Sequence, residues 1–437
     1  MPPTTPELKF PTTMGSDAAE YLRAHQIIPI SPPCRSSDYR LCLSDPFVYY
    51  MARRLGVVPA LSHSKALNRG TWMHNRFQHF DLPKGRLNLL MNTLLGNRLE
   101  ELTDTCKELG IQAEARKSVL EREEKDFSCS MGWYEAASTV SCYEGQSFED
   151  ILLSPHWHRL GTEYRLVTSV KTNDRSKPIK CVSQPDLLLY HKGQNSVWIL
   201  DLKTTAMSPK KRAMGIPLDF QTEHYMFSVN ALLQTGDFQK AFNLPSDCRL
   251  GGMMHLIIRK PSIEFGMKDR SYTIDTSPFK SGPRKGQPRM EKVYEGEPLL
   301  NNYIQRCADW YHATGDYLDK QAEWAEEPPV GISFTSASLV LDEQIQTRYR
   351  DRVRLIQRYA SDLAPHPQNF PMTDSPFTRA DFSTYSPFML APVGEWPRLI
   401  QQEGFVIRRR DEPIPEEIEF DVIKEPGSEF LGEAGTE

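Results

Sequence analysis

Residues 184–205 read QPDLLLYHKGQNSVWILDLKTT, and the reading of this stretch decides the fold. Two apolar runs, "DLLLY" and "SVWILDL", flank the turn signal "KGQN", so the segment predicts a β-hairpin. Asp186 and Asp201 stand fifteen positions apart on its two arms. That separation fits two short strands joined by a tight turn and brings both carboxylates to one sheet edge. Side chains alternate along a strand, so Asp201, Lys203 and Ile199 share one face while Leu200 and Leu202 pack on the other. A lysine aimed at an apolar interior is costly unless anions neighbour it.

Two carboxylates at one point suit Mg2+ or Mn2+, hard cations that prefer oxygen ligands. Such a cation lowers the pKa of a water and polarises a phosphoryl oxygen, the two needs of phosphodiester hydrolysis. The backbone carbonyl of Leu202 is a further candidate ligand. Lys203 is placed to position or deprotonate the water, or to neutralise developing charge.

Working outward, residues 161–171 (GTEYRLVTSVK) and 180–191 (KCVSQPDLLLYH) each predict one strand, and with 196–205 they form an antiparallel meander. Glu163 heads the first strand and is a candidate for orienting Lys203 or holding a second metal. A Lys/Pro/Gly-rich loop over 206–217 leads to an amphipathic helix from "DFQTEHY", where Gln221 and Tyr225 share a face. GGMMHLIIRKP (251–261) predicts a further strand. Upstream, GTWMHNRFQ (70–78) puts His74 on a short helix, and a neutral imidazole there is a candidate metal ligand. Residues 86–125 predict one or two helices, 131–141 another, and 299–326 and 341–362 are helical. Lys210, Lys211, Arg212 and Arg76 are the candidate contacts to DNA phosphates. His156 and His158 in "HWH" lack a third ligand at metal spacing and read as surface or packing residues.

These pieces, in this order, resemble the RecB-like branch of the PD-(D/E)XK nucleases, phage-type exonucleases included. "SSDYRLCLSDPFVYY", "GTWMHNRFQ", "TEY", "QPDLLL", "LDLKTT", "QTEHY" and "GGMMHLIIRKP" carry the resemblance over about residues 36–261. It implies an α/β restriction-endonuclease-like core, a mixed central sheet flanked by helices, with helical N- and C-terminal additions. It also implies a metal-assisted DNA hydrolase with His74, Asp186 and Asp201 as ligands, Lys203 as catalytic lysine, and Gln221 and Tyr225 assisting. Some relatives carry an iron–sulfur cluster held by one cysteine before the core and three after it. Here only Cys248 and Cys307 follow the core, so no cluster is expected.

Composition sets the surroundings. The eight cysteines are scattered, with no C-x-x-C and no short Cys/His cluster, which argues against a zinc knuckle and a disulfide scaffold. No apolar run approaches the ~20 residues that span a bilayer, and the first residues lack a secretory signal pattern. A cytoplasmic protein of a bacterium or phage-infected cell is expected. The net charge is -5, but residues 411–437 hold ten acids and one lysine, leaving the body mildly basic. The expected organisation is a disordered stretch over 1–18, a helical region with the His motif over 19–145, a nuclease core over 146–265, a mostly helical region over 266–410 and an acidic tail over 411–437. That tail is a candidate protein-partner element. The expected activity is metal-dependent DNA hydrolysis, exonucleolytic, in recombination, repair or phage replication. The alternatives are an inactive DNA-binding or assembly protein that keeps the fold, and a DNA endonuclease.

Overall fold

A computed structural model describes residues 34–358, apart from 45, 62–64, 172–177, 217–218, 279 and 341, together with 385, 387–388, 391, 393–402 and 404–407. The expected disordered start (1–18) and the acidic tail (411–437) lie outside the described residues.

The elements that position the site run as follows. Strand β1 is Cys34–Arg35. Helices α1 (Lys65–Phe77), α2 (Lys84–Glu108) and α3 (Ala113–Ala137) follow. Strands β2 (Trp157–Thr162), β3 (Leu166–Val170), β4 (Ile179–Ser183), β5 (Leu187–His191) and β6 (Ser196–Thr205) come next. Helices α4 (Pro209–Gly215) and α5 (Phe220–Thr235) lead to β7 (Arg249–Arg259). Helix α6 (Leu300–Tyr311), strand β8 (Val330–Ser336) and helix α7 (Glu343–Gln357) complete the set. Among the described residues, no helix is long and apolar enough to cross a membrane.

The central sheet has the order β8-β7-β6-β5-β2. It is mixed: β6 and β7 are parallel, and the other pairs are antiparallel. A second sheet, β1-β4-β3, stands beside it. The alternation of β5, β6 and β7, interrupted in β7 by a bulge between Leu250 and Gly252, divides the core into two layers. Leu187, Leu189, Leu200, Leu202, Met254, Leu256 and Ile258 pack toward α1, α3 and α6. Leu188, Val197, Ile199 and Met253 pack toward Tyr225, Met226, Val229 and Leu233 of α5. Strands covered on both faces need the near-continuous apolar runs read in the hairpin.

Five expectations change. The strand expected over 161–171 breaks into β2 and β3 at Glu163, whose φ of 50° is left-handed. The strand expected over 180–191 breaks into β4 and β5 at Gln184–Pro185–Asp186. At these breaks the chain leaves one sheet for the other. The separate helix expected over 131–141 is the last part of α3, which runs unbroken to Ala137. The loop expected over 206–217 contains α4, started by Pro209 at its first turn and by Ser208, whose side chain accepts the Lys211 N–H. Nor does the sheet end at residue 265, because β8 supplies its edge from the region expected to be a helical addition. Helix α7 is likewise fastened to α5. Arg348 and Arg352 both grip Glu223, whose side chain is fully buried. Two guanidinium groups offset the cost of burying that carboxylate.

Helices α3 and α6 approach closely at Gly132. A Cβ on Gly132 would lie 2.4 Å from Tyr303 ring carbons. That ring is held at its hydroxyl, which accepts the Trp133 indole N–H at 2.9 Å and donates to the Ile263 carbonyl at 2.9 Å. Gly132→Ala is therefore expected to destabilise the protein. Overpacking of about 1–3 kcal/mol outweighs the roughly 1 kcal/mol that alanine gains in a helix interior. Denaturant unfolding of the two proteins measures the difference.

Candidate active site

The register Leu187↔Leu200 carries on to set Asp186 opposite Asp201. Asp186 is tied across the hairpin: its Oδ2 accepts the Leu202 N–H at 2.7 Å. N–H and C=O of one strand residue point the same way, so the Leu202 carbonyl is also directed toward Asp186. His74 comes in from α1, its Nδ1 3.1 Å from Asp186 Oδ1. Burial opposes the imidazolium, but the charge and hydrogen bond of Asp186 and the charge of Asp201 outweigh it, and the His74 pKa is raised.

On the α5 side, Lys203 Nζ lies 2.6 Å from Asp201 Oδ2 and donates to Gln221 Oε1 at 2.6 Å. The Gln221 amide donates to Asp201 Oδ1 at 3.1 Å and to the Tyr225 hydroxyl at 3.0 Å. Tyr225 donates in turn to the Gln184 carbonyl at 3.0 Å. Burial, then the charge of Asp201, pushes the Tyr225 hydroxyl well above its ordinary range, so it stays a neutral donor. Six of the expected residues, His74, Asp186, Asp201, Lys203, Gln221 and Tyr225, thus form one connected set.

The others sort differently. Glu163 stands on the Asp186 side, where its carboxylate accepts the amides of Gln78 (2.7 Å) and Gln184 (2.9 Å). It does not orient Lys203, whose partners are Asp201 and Gln221. Partial desolvation first, and the like charge of Asp186 second, raise the Glu163 pKa. Arg76 is not a DNA contact. It is buried, paired with Glu135 at 2.8 Å and Glu149 at 3.5 Å, and lies over the Tyr134 ring. Its guanidinium faces into the packing of α3 instead of the surface, which "HNRFQ" alone does not reveal. Lys210 and Lys211 are exposed on α4, with Lys211 Nζ 3.7 Å from Glu327, and Arg212 is half-buried with Nη2 3.6 Å from Asp219.

His255 was missed. It pairs with Asp201 across β6 and β7 and is 1% exposed. Being the one ionisable residue inside "GMMHLII" was its sequence signal. Gln78, four residues after His74, and Gln184, at the head of "QPDLLL", sit within the motifs, but nothing in the sequence shows that they hold Glu163.

The donor set fits a hard divalent cation. Asp201 Oδ2 is buried and ion-paired with the Lys203 ammonium at 2.6 Å, an anionic oxygen that a cation can share. With Asp186, the Leu202 carbonyl and His74 it offers three oxygens and a nitrogen.

Burial lowers the His255 pKa from 6.5 to about 4. The unfolded chain therefore binds this proton first, and stability falls as pH drops from about 6.5 toward 4, by up to about 3 kcal/mol at 1.36 kcal/mol per unit. His255→Asn should remove that part of the slope, which denaturant titrations across this pH range measure. An unchanged slope would contradict a neutral buried imidazole beside Asp201.

No curated protein matches the chain. The family model of the PD-(D/E)XK nuclease superfamily matches residues 36–361, a span that contains every residue of the site from His74 to Tyr225. With the mixed sheet and the facing aspartates in place, this chain belongs to the PD-(D/E)XK nuclease superfamily.

Proposed function

We propose that the protein is a divalent-metal-dependent deoxyribonuclease that acts as an exonuclease in DNA recombination, repair or phage replication. The observation that carries the reading is the facing pair Asp186 and Asp201 with Lys203 and Gln221 closed around the second carboxylate. The finer, exonucleolytic assignment rests on the order of the motifs from His74 to Tyr225 and its likeness to the RecB-like branch.

Asp186, Asp201, His74 and the Leu202 carbonyl would hold Mg2+ or Mn2+. When bound, the cation supplies Lewis acidity toward the phosphate and makes water a stronger acid. The rest of the work falls to the chain. The hydrogen bond from Leu202 N–H to Oδ2 fixes the Asp186 carboxylate, so Oδ1, which faces His74 Nδ1 at 3.1 Å, is set before any ligand arrives. Lys203 presents its ammonium at the rim, its side chain 19% exposed, where it can orient a water or meet charge developing on the phosphate. Gln221 limits the rotation of Lys203 and Asp201 together. Tyr225 anchors that glutamine to the Gln184 backbone, and so to the segment that carries Asp186. Lys210, Lys211 and Arg212 on α4, which follows the catalytic strand, would contact strand phosphates.

The test is cleavage of end-labelled linear DNA with Mg2+, Mn2+ or EDTA. Cleavage is expected with either metal and none with EDTA. Asp186→Asn, Asp201→Asn and Lys203→Ala should each lower the rate by on the order of 10²–10³ or more. Undiminished cleavage in Asp201→Asn would overturn the assignment. Closed circular DNA should survive, whereas its linearisation would mark an endonuclease, and offering RNA beside DNA tests the polymer.

Binding separates the basic residues. Lys210→Ala and Lys211→Ala should each weaken DNA binding and reduce the dependence of log K on log salt by about 0.7–0.9. Arg76→Ala should leave that slope alone and lower the unfolding free energy instead.

A further inference from the structure

Cysteines absent from any short motif meet in space. Cys34 of β1 and Cys181 of β4 are register partners in a parallel pair. Over them lies His224 of α5, and the ligand atoms of all three fall within 4.8 Å of one another, with every residue buried. We propose that Cys34, Cys181 and His224 form a structural zinc site, separate from the candidate active site.

The imidazole already has the tautomer a ligand needs. Its Nε2 lies 2.9 Å from the Val182 carbonyl. A carbonyl only accepts, so Nε2 carries the proton and the lone pair is on Nδ1. A histidine that binds metal through one nitrogen usually donates its other N–H to a carbonyl or carboxylate in this way. Nδ1 faces the Tyr349 hydroxyl at 3.1 Å, and that hydroxyl is 4.0 Å from Cys181 Sγ. The phenol of α7 therefore donates to Nδ1 and would turn away as the ion takes that lone pair. Burial keeps the ring neutral, with a pKa lowered to about 4.

Charge and size select the ion. Two thiolates balance one divalent cation, so the loaded site carries no net charge into a dry interior. Each thiol gives up its proton to solvent as the metal–sulfur bond forms, and no electron is transferred. Bonds of about 2.3 Å to sulfur and 2.0–2.1 Å to nitrogen put tetrahedral ligand atoms roughly 3.5–3.8 Å apart, so the side chains need close by at most about 1.3 Å. Soft thiolate and imidazole favour zinc over Mg2+ or Mn2+. A [4Fe–4S] cluster needs four cysteines, and two are present here. The site would join β1, β4 and α5. Cys181 lies five residues before Asp186, and His224 adjoins Tyr225, so the ion would brace both arms of the catalytic set.

The full chain, produced with zinc in the medium and passed through gel filtration, should retain about one zinc per molecule by mass spectrometry. Asp201→Asn should keep it, whereas Cys34→Ser and Cys181→Ser should lose it. Because those variants can misfold, the wild-type chain is also loaded with Co2+, which should give a near-ultraviolet thiolate-to-cobalt band, and chelation should lower its melting temperature. Wild-type protein that holds no zinc and shows no such band overturns the proposal. So does zinc that persists in both cysteine variants, a Cys34–Cys181 disulfide in thiol titration, or iron with sulfide in the purified chain.

Discussion

The structure depends on one register. Leu187 faces Leu200 across the β5–β6 hairpin, and this pairing alone puts Asp186 opposite Asp201. A slip of one residue would turn every side chain of the strand to the other face and separate the two carboxylates. The apolar residues prevent that slip: Leu200 and Leu202 must reach one core layer while Val197 and Ile199 reach the other. Burial thus specifies the chemistry, and the Leu202 N–H to Asp186 hydrogen bond sets the carboxylate on the edge so defined.

Around this edge the chain builds outward in hydrogen bonds. Gln221 links Lys203, Asp201 and Tyr225, and Tyr225 returns to Gln184. Gln184 also holds Glu163, whose left-handed backbone lies where the chain departs from the central sheet. Strain of this kind persists only where surrounding contacts over-determine it, and Glu163 has two amides on its carboxylate and its own N–H 3.3 Å from the Asp186 carbonyl. Helix α5 presents Gln221 and Tyr225 from a position fixed by the two arginines of α7 on Glu223. A distant C-terminal helix is in this way part of the site's support.

What was legible in the sequence followed from periodicity. Period-two alternation put Asp201 and Lys203 on one face, and the i, i+4 spacing did the same for Gln221 and Tyr225. His74 was readable from its motif, as was the hairpin from its turn. The rest depended on tertiary pairing. The break at Glu163 was not visible, because "GTEYRLVTSVK" alternates without interruption and only the sheet it joins decides where it stops, whereas Pro185 marks the break before Asp186. Strand β8, "VGISFTS", alternates like a strand, but it lies between helices and nothing local shows that it pairs with β7. Arg76 looked like a surface cation because burial depends on Glu135 and Tyr134, far along the chain. The Cys34, Cys181 and His224 cluster is assembled from three segments that no local spacing connects.

Asp186 and Asp201 would form a single metal site held by strand register. Calorimetric titration of Mn2+ into the full chain tests it most directly, since a hard cation avoids the thiol cluster. The account predicts a binding event that is lost in Asp186→Asn and in Asp201→Asn alike, and kept in Lys210→Ala. Binding to Asp186→Asn as tight as to the wild type would contradict it.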